Sequence, residues 1–157
     1  MASHKTVREL LIEQLSGKNA HVDFDQAVQG LTYKQTGIKV ERVPHTIWEL
    51  IEHIRIAQAD ILEFCQNPNY EELDWPADYW PENRSPESEQ ALETSIQKVR
   101  DGLEEMREII RDAEKDLQEP LAHGSGQTLF REAMLIVDHN AYHIGQIVLI
   151  RRLLGSW

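Results

Sequence analysis

Residues 138–146 have the sequence Asp138-His139-Asn140-Ala141-Tyr142-His143-Ile144-Gly145-Gln146. They belong to an apolar run, residues 129–154, that contains no proline and one glycine, so we expect a helix. Residues four apart lie on the same face of a helix, and His139 and His143 would therefore present two imidazoles side by side. One helix can supply two ligands to a divalent metal in this way. The stretch predicts both a long helix and part of a metal site.

Two other segments show the apolar spacing of amphipathic helices. The first begins at Thr46-Ile47-Trp48-Glu49, which matches a capping box, and is predicted to end at Asn67-Pro68. The second is predicted to run from Ser85-Pro86 to Pro120, because a cap residue followed by proline begins many helices. Its apolar residues alternate at spacings of four and three, as they do in bundle helices: Leu92, Ile96, Val99, Leu103, Met106, Ile110, Ala113 and Leu117.

The remaining segments are less regular. Residues 3–31 predict one kinked helix or two short ones, because small and polar residues interrupt the apolar spacing near the middle. Residues 32–43 predict a connecting loop. Residues 67–85 predict a longer loop, in which we expect Trp75 and Trp80 to pack because they are large apolar surfaces. Four helix-length segments without strand-like alternation predict an all-α fold, a four-helix bundle.

The composition limits the classes of function. A length of 157 residues suffices for a sizeable core, and we expect a single domain spanning residues 1–157. The formal net charge of -11 would repel nucleic acids and anionic membranes, so neither is expected as a partner. Cys65 is the only cysteine, which excludes an internal disulfide and cysteine-based zinc motifs. Because no signal peptide or membrane span is recognisable, we expect a cytoplasmic protein.

A third histidine is predicted to face the interior beside the helical pair. His53 lies three residues after Leu50 and four before Ala57, at the edge of an apolar stripe. For any one histidine, a core imidazole that is satisfied by a hydrogen bond is the simpler interpretation. For His53, His139 and His143 together, a metal centre is the better one. Three imidazoles without a thiolate leave coordination positions open, as catalytic sites do.

The other four histidines give no such pattern. We expect His4 at a solvated terminus, His123 in a Gly/Ser turn, and His45 packed over the start of a helix, while His21 stays unassigned. Rival sites are absent from the sequence. It contains no His-Glu-x-x-His zinc motif, no Glu-x-x-His di-iron motif, no Gly-rich phosphate loop and no serine nucleophile elbow.

Two stretches of the chain resemble the DinB (damage-inducible) family of bacterial proteins, also described as DinB/YfiT-like. They are Pro44-His45-Thr46-Ile47-Trp48-Glu49-Leu50-Ile51-Glu52-His53-Ile54 and Asp138-His139-Asn140-Ala141-Tyr142-His143-Ile144-Gly145-Gln146-Ile147. Residues 21–27 and Gly30-Leu31 are similar to the family's N-terminal stretch. The order of the segments matches over nearly the whole chain.

The resemblance implies a four-helix bundle with one long crossover connection, usually dimeric. It also implies a three-histidine centre, open to a pocket, for a divalent metal such as zinc or nickel. By position, His53, His139 and His143 match the family's ligands. Characterised relatives include S-transferases and isomerases that depend on low-molecular-weight thiols such as bacillithiol or mycothiol, so a thiol or another small-molecule substrate is expected as a partner.

Two hypotheses of function follow. In the first, the chain is a metal-dependent enzyme, because a cation held by neutral imidazoles lowers the pKa of a bound thiol or water and so favours S-transfer or hydrolysis. Tyr142 and Gln146 would then orient the substrate or the ligands; otherwise they only pack on the helix surface. In the second, the chain is a non-enzymatic, dimeric helical-bundle binding protein whose metal is structural or absent.

The end of the last helix bears on self-association. Its apolar stripe is wider than one core requires, and it consists of Ile147, Val148, Leu149, Ile150, Leu153 and Leu154. Surplus apolar surface on a soluble protein is usually covered. We expect a homodimer to cover it, the alternative being that the first helix wraps this face within one chain.

Overall fold

The computed structural model describes residues 6–17 and 20–157, so His4, Lys18 and Asn19 lie outside the described residues. Within those two ranges there is no β-strand, only an isolated bridge between Pro120 and Thr128. No helix there has both the length and the apolar character that a membrane span requires. The regular structure consists of α1 Val7–Leu15, α2 Phe24–Val28, α3 Tyr33–Thr36, α4 Ile47–Gln66, a 3-10 turn Ala77–Tyr79, α5 Glu89–Arg111 and α6 Leu129–Leu153. The prediction of an all-α fold is confirmed.

Side-chain caps determine where the helices begin. The Thr46 hydroxyl accepts a hydrogen bond from the Glu49 amide, and the Glu49 carboxylate accepts one from the Thr46 amide. This capping box satisfies two amides at the start of α4. The same reciprocal arrangement begins α1, α2 and α3. Ser88 caps α5 and Thr128 caps α6. The predicted start of α4 at Thr46 is therefore confirmed, and α6 begins at Leu129, the first residue of the apolar run.

The two central helices, α4 and α5, run parallel. Near their beginnings the Ser95 hydroxyl donates a hydrogen bond to Glu52, and near their ends Gln66 donates one to Glu105. Consecutive parallel helices need a connection that returns along the bundle, and residues 67–88 provide it. The long crossover connection that the resemblance implied is present.

The bundle is completed by α6 and α1. Asn140 contacts Gln58, whereas His143, further along α6, reaches His53, which lies earlier in α4. The two helices are therefore antiparallel. α1 packs against α5 and α6 at the far end of the bundle, and α2 packs against α6 at the end near the start of α4. Two apolar clusters fill the interior, one at each end.

The predicted limits of α5 are wrong at both ends. It begins at Glu89 rather than at Ser85-Pro86, because the Thr46 hydroxyl donates to the Arg84 carbonyl at 2.7 Å and ties that segment to the start of α4. It ends at Arg111, well before Pro120. There the Arg8 guanidinium donates to one carbonyl oxygen in the last turn, that of Ile110, and to two beyond it, those of Asp112 and Lys115. These hydrogen bonds satisfy carbonyls that have no partner within the helix.

The shorter segments differ from expectation in two places. Residues 6–31 form two short helices where they are described, which is one of the two predicted alternatives. Residues 32–43 are not entirely loop, because Thr32 and Gln35 form a capping box that begins the four-residue helix α3. Trp80 packs as expected, whereas Trp75 contacts the ring of Tyr79 but remains 71% exposed.

Candidate metal centre

Antiparallel packing of α4 and α6 brings His53, His139 and His143 together. Their ring centroids are 4.8 Å (His53–His139), 4.6 Å (His53–His143) and 4.5 Å (His139–His143) apart. Their candidate ligand nitrogens all lie within 4.8 Å of one another. His53 and His143 are buried, and His139 is partly exposed. All three predicted residues therefore share one small volume.

Hydrogen bonds on the far side of two rings decide which nitrogen is free. His53 Nδ1 lies 2.8 Å from the Tyr79 carbonyl oxygen, which can only accept, so Nδ1 carries the hydrogen. His143 Nδ1 lies 2.7 Å from Gln146 Oε1 and donates to it in the same way. In a neutral imidazole the other nitrogen, Nε2, then keeps its lone pair. Both rings present Nε2 as a possible metal ligand.

The surroundings keep the imidazoles neutral. Burial, together with the neighbouring imidazoles His143 and His53, lowers the pKa of His139 to about 4. Burial likewise lowers the pKa of His143 to about 4. The pKa of His53 is also lowered, chiefly by burial and against the opposing effect of the Tyr79 carbonyl. Neutral imidazole is the form that binds metal, so the rings do not have to lose a proton near pH 7.

The donor set fits a divalent cation. Two nitrogens bound tetrahedrally at ~2.1 Å from one ion lie roughly 3.4 Å apart. His139 Nε2 and His53 Nε2 are 3.0 Å apart, within a few tenths of an ångström of that separation. Two lone pairs at this distance repel each other, so either a hydrogen on one nitrogen or a cation between them is required. The group contains no thiolate and no carboxylate, which leaves it electrically neutral.

Aromatic rings surround the three histidines. Trp80 stacks on His53 at 4.0 Å and, on its other face, on His45 at 4.0 Å, so the indole lies between two imidazoles. His45, which was expected to pack over the start of a helix, packs on Trp80. Trp75 lies 6.5 Å from His53, and Tyr142, which is 67% exposed, lies 5.0 Å from His143. The centre thus has an apolar wall and an exposed aromatic rim.

Other reactive side chains lie outside this cluster. His21 is exposed and its Nδ1 contacts the Val22 carbonyl, while His123 donates from Nε2 to the Phe64 carbonyl at 2.7 Å. Burial raises the pKa of the Cys65 thiol to about 12, so this cysteine is not a nucleophile near neutral pH. A cavity of about 280 Å³ is bounded by α1, α2, α5 and α6, and its lining includes Asn140 but none of the three histidines.

The sequence predicted some of the residues around the three histidines and missed others. Gln146 lies three residues after His143 on the same helix, and it was predicted, together with Tyr142, to orient the substrate or the ligands. The Tyr79 carbonyl and the stacking of Trp80 on His53 were missed. Both come from the aperiodic crossover connection, and any residue type could supply a carbonyl. The tryptophans and prolines of residues 67–85 were the only indication that this connection packs.

The chain was compared with known proteins. The model of a family described as the DinB superfamily matches residues 18–147. No curated protein matches the chain, and no solved structure matches it. The matched residues cover most of the chain and include all three histidines of the cluster.

Proposed function

This chain belongs to the DinB superfamily, and we propose that it is an enzyme whose divalent metal ion is held by His53, His139 and His143. The observation that carries the proposal is the convergence of three neutral imidazoles on one point. For a single histidine a hydrogen-bonded core role would suffice. For three rings whose candidate ligand nitrogens lie within 4.8 Å of one another, no hydrogen-bond arrangement satisfies every lone pair as simply as one cation does.

The reaction class is inferred from the donors. A divalent cation bound by neutral ligands only keeps its full charge, which favours the deprotonated form of a thiol or a water molecule beside it. We therefore propose transfer of a low-molecular-weight thiol to a small electrophile, or hydrolysis. Zinc and nickel are the metals we propose, since both bind imidazole nitrogen readily.

The chain's own residues have separate roles in this proposal. Gln146 and the Tyr79 carbonyl orient His143 and His53 by accepting their Nδ1–H groups. Trp80 covers one face of His53 and excludes water from that side. Trp75 and Tyr142, which are exposed beside the histidines, are the side chains that a substrate would contact first.

Metal analysis of protein without a histidine tag tests the ligand assignment. The wild-type chain is expected to bind up to one divalent ion, and His143→Ala is expected to lose it, because two ligands bind far more weakly than three. His123→Ala is the matched control, since His123 lies outside the cluster and should leave the metal content unchanged. Full metal occupancy in His143→Ala would contradict the assignment.

A second candidate is a non-enzymatic binding protein that forms a homodimer. The exposed side chains Leu149 and Leu153 on α6 favour it, because apolar residues left on a surface often mark an interface. Cobalt-substituted protein separates a thiol-transfer enzyme from the binding protein. In an enzyme of the proposed class, added cysteamine should give a thiolate-to-cobalt absorption band. Cobalt that binds without any change on addition of thiol would favour the binding protein.

A further inference from the structure

Tyr79, in the crossover connection, is attached to α4 at two points. Its backbone carbonyl accepts from His53 Nδ1 at 2.8 Å, and its hydroxyl donates to Asp60 Oδ2 at 2.7 Å. His53 and Asp60 are seven residues apart, so they lie on the same face of α4, roughly 10 Å apart along the axis. One residue therefore bridges two turns of the helix that carries the candidate ligand.

Asp60 holds the crossover connection through both of its oxygens. Besides Tyr79, the Tyr70 hydroxyl donates to Asp60 Oδ1 at 2.8 Å. Burial, followed by the hydrogen bond to Asp60, raises the pKa of Tyr70 to about 12, and the pKa of Tyr79 is raised for the same reasons. Both hydroxyls consequently stay protonated and able to donate. The two tyrosines differ in one respect, because only Tyr79 also contacts a histidine of the cluster.

The attachment of Tyr79 also fixes its neighbour. Trp80 follows directly and stacks on His53 at 4.0 Å with an interplanar angle of 3°. The imidazole is thus held by a hydrogen bond in its plane and by an indole on its face. A shift of Tyr79 along α4 would disturb both contacts. The Tyr70 hydroxyl interacts with the Tyr79 hydroxyl, but Tyr70 has no contact with His53 or Trp80.

We propose that Asp60 and Tyr79 are positioning residues for the metal centre. By anchoring the Tyr79 hydroxyl, Asp60 holds the Tyr79 carbonyl on His53 Nδ1, which selects the tautomer whose Nε2 lone pair faces His139 and His143. The consequence for metal affinity rests on the proposed function. The consequence for the tautomer of His53 does not, because it concerns hydrogen bonds of the metal-free protein.

The test uses three variants of the full chain. Tyr79→Phe removes the anchoring hydroxyl and keeps the ring, and Asp60→Ala removes the acceptor. Tyr70→Phe is the matched control, because it removes a hydrogen bond to the same carboxylate without touching the contact to His53. Nitrogen-15 NMR of the metal-free proteins at pH 8 reports which ring nitrogen of His53 carries the hydrogen. Cobalt titration then measures affinity.

In the wild type and in Tyr70→Phe, His53 is expected to carry its hydrogen on Nδ1. In Tyr79→Phe and Asp60→Ala, the Nε2–H tautomer should become populated, and cobalt affinity should fall about 10-fold, the lower end of the effect of losing a partner of a metal ligand. An unchanged His53 tautomer in Tyr79→Phe and Asp60→Ala would overturn the inference. Equal effects of Tyr70→Phe and Tyr79→Phe would also overturn it, since a loosened connection would then explain both. Absence of cobalt binding by the wild type, with the tautomer result as expected, would reject the proposed function alone.

Discussion

In two imidazoles of the cluster, those of His53 and His143, the two ring nitrogens have different roles. On His53 and His143 the outward nitrogen, Nδ1, donates to an oxygen, and the inward nitrogen keeps its lone pair. This division allows three polar rings to be packed together without charge. It also means that protonation of the cluster is unfavourable, because an added proton would bring a positive charge into a largely buried group.

The depressed histidine pKa values predict a pH dependence of the metal-free protein. His139 and His143 have a pKa of about 4 in the folded chain, against an ordinary value of 6.5. Between these values the unfolded chain binds more protons, so the free energy of unfolding should fall as the pH decreases from 6.5 towards 4. The full difference between a pKa of 6.5 and one of about 4 corresponds to about 3 kcal/mol per imidazole, and because solvent partly screens the charge we expect a smaller loss, on the order of 2 kcal/mol each. Urea denaturation in the presence of a chelator measures it.

The comparison for this prediction is the double variant His139→Gln, His143→Gln. Glutamine is neutral throughout, so the variant keeps every carboxylate of the protein and loses only the two titrating rings. Its free energy of unfolding should depend less steeply on pH over the same range. If the free energy of unfolding depends equally steeply on pH in the wild type and in the variant, the pKa values of the two imidazoles are not lowered in the folded chain.

At the residue scale the sequence predicted the three histidines of the cluster better than their surroundings. His139 and His143 were found because helical periodicity places residues four apart on one face. His53 was found because an apolar stripe surrounds it. Asp60 and Tyr79 were not found, since they are brought together by the course of an aperiodic connection. Local periodicity cannot predict such a course, because it is determined by tertiary contacts.

At the scale of the helix, two glycines have opposite surroundings. A Cβ at Gly102 on α5 would lie 2.8 Å from Gln58 Nε2, which donates to the Val99 carbonyl in the core. At Gly145 on α6 a Cβ would meet nothing within 4 Å. Gly102 therefore marks the close approach of α5 to α4, and Gly145 does not mark a contact within the chain.

Alanine at these two positions is predicted to change stability in opposite directions. Gly145→Ala should stabilise the chain by ~0.5–1 kcal/mol, because glycine is a poor residue in a helix interior. Gly102→Ala gains the same helix propensity but displaces the buried Gln58 amide, and losing its hydrogen bonds costs about 1–3 kcal/mol. We expect net destabilisation. Urea denaturation of the chelated proteins measures both, and a stabilised Gly102→Ala would show that Gln58 adapts at little cost.

Helix limits were predicted well where local chemistry decides them. Thr46 begins α4 through its own side chain, as the capping-box sequence indicated, and Thr128 caps α6 directly before the apolar run. α5 differs because distant residues decide its limits: Thr46 holds Arg84 in the preceding segment, and Arg8 binds the carbonyls at its end. Leu117 still reaches the core from outside the helix. For Leu117 the apolar spacing therefore predicted burial correctly and helical conformation incorrectly, whereas Ala113, from the same series, is neither helical nor buried.

At the scale of the whole molecule, the metal is expected to be dispensable for folding. The apolar clusters at the two ends of the bundle are large, and they contain apolar side chains but none of the three candidate ligands. Burial of so much apolar surface sustains a chain of this length without a metal. Thermal unfolding followed by circular dichroism, with and without a strong chelator, should show full helical signal at 25 °C in both samples. Complete loss of that signal with chelator would identify the metal as structural.

The exposed face of α6 predicts self-association of the chain. On α6, Tyr142, Leu149 and Leu153 lie on one exposed face, the two leucines being 55% and 57% exposed. The covering helix α1 packs near the other end of α6, with Ala133 and Ile136. It leaves this face uncovered, and we expect a second copy of the chain to cover it. The net charge of -11 opposes association, so the contact must be mainly apolar.

Light scattering at micromolar concentration should therefore give twice the mass of one chain, with little dependence on salt. The double variant Leu149→Glu, Leu153→Glu is expected to be monomeric, because it places charges in an apolar contact that is already opposed by repulsion. Leu10→Glu is the control: Leu10 is an exposed leucine on α1, away from this face, and its substitution should leave the mass unchanged. A wild-type mass near 18.2 kDa at both low and high salt would exclude the dimer. If Leu10→Glu is monomeric and the double variant Leu149→Glu, Leu153→Glu remains dimeric, the interface lies on α1 instead.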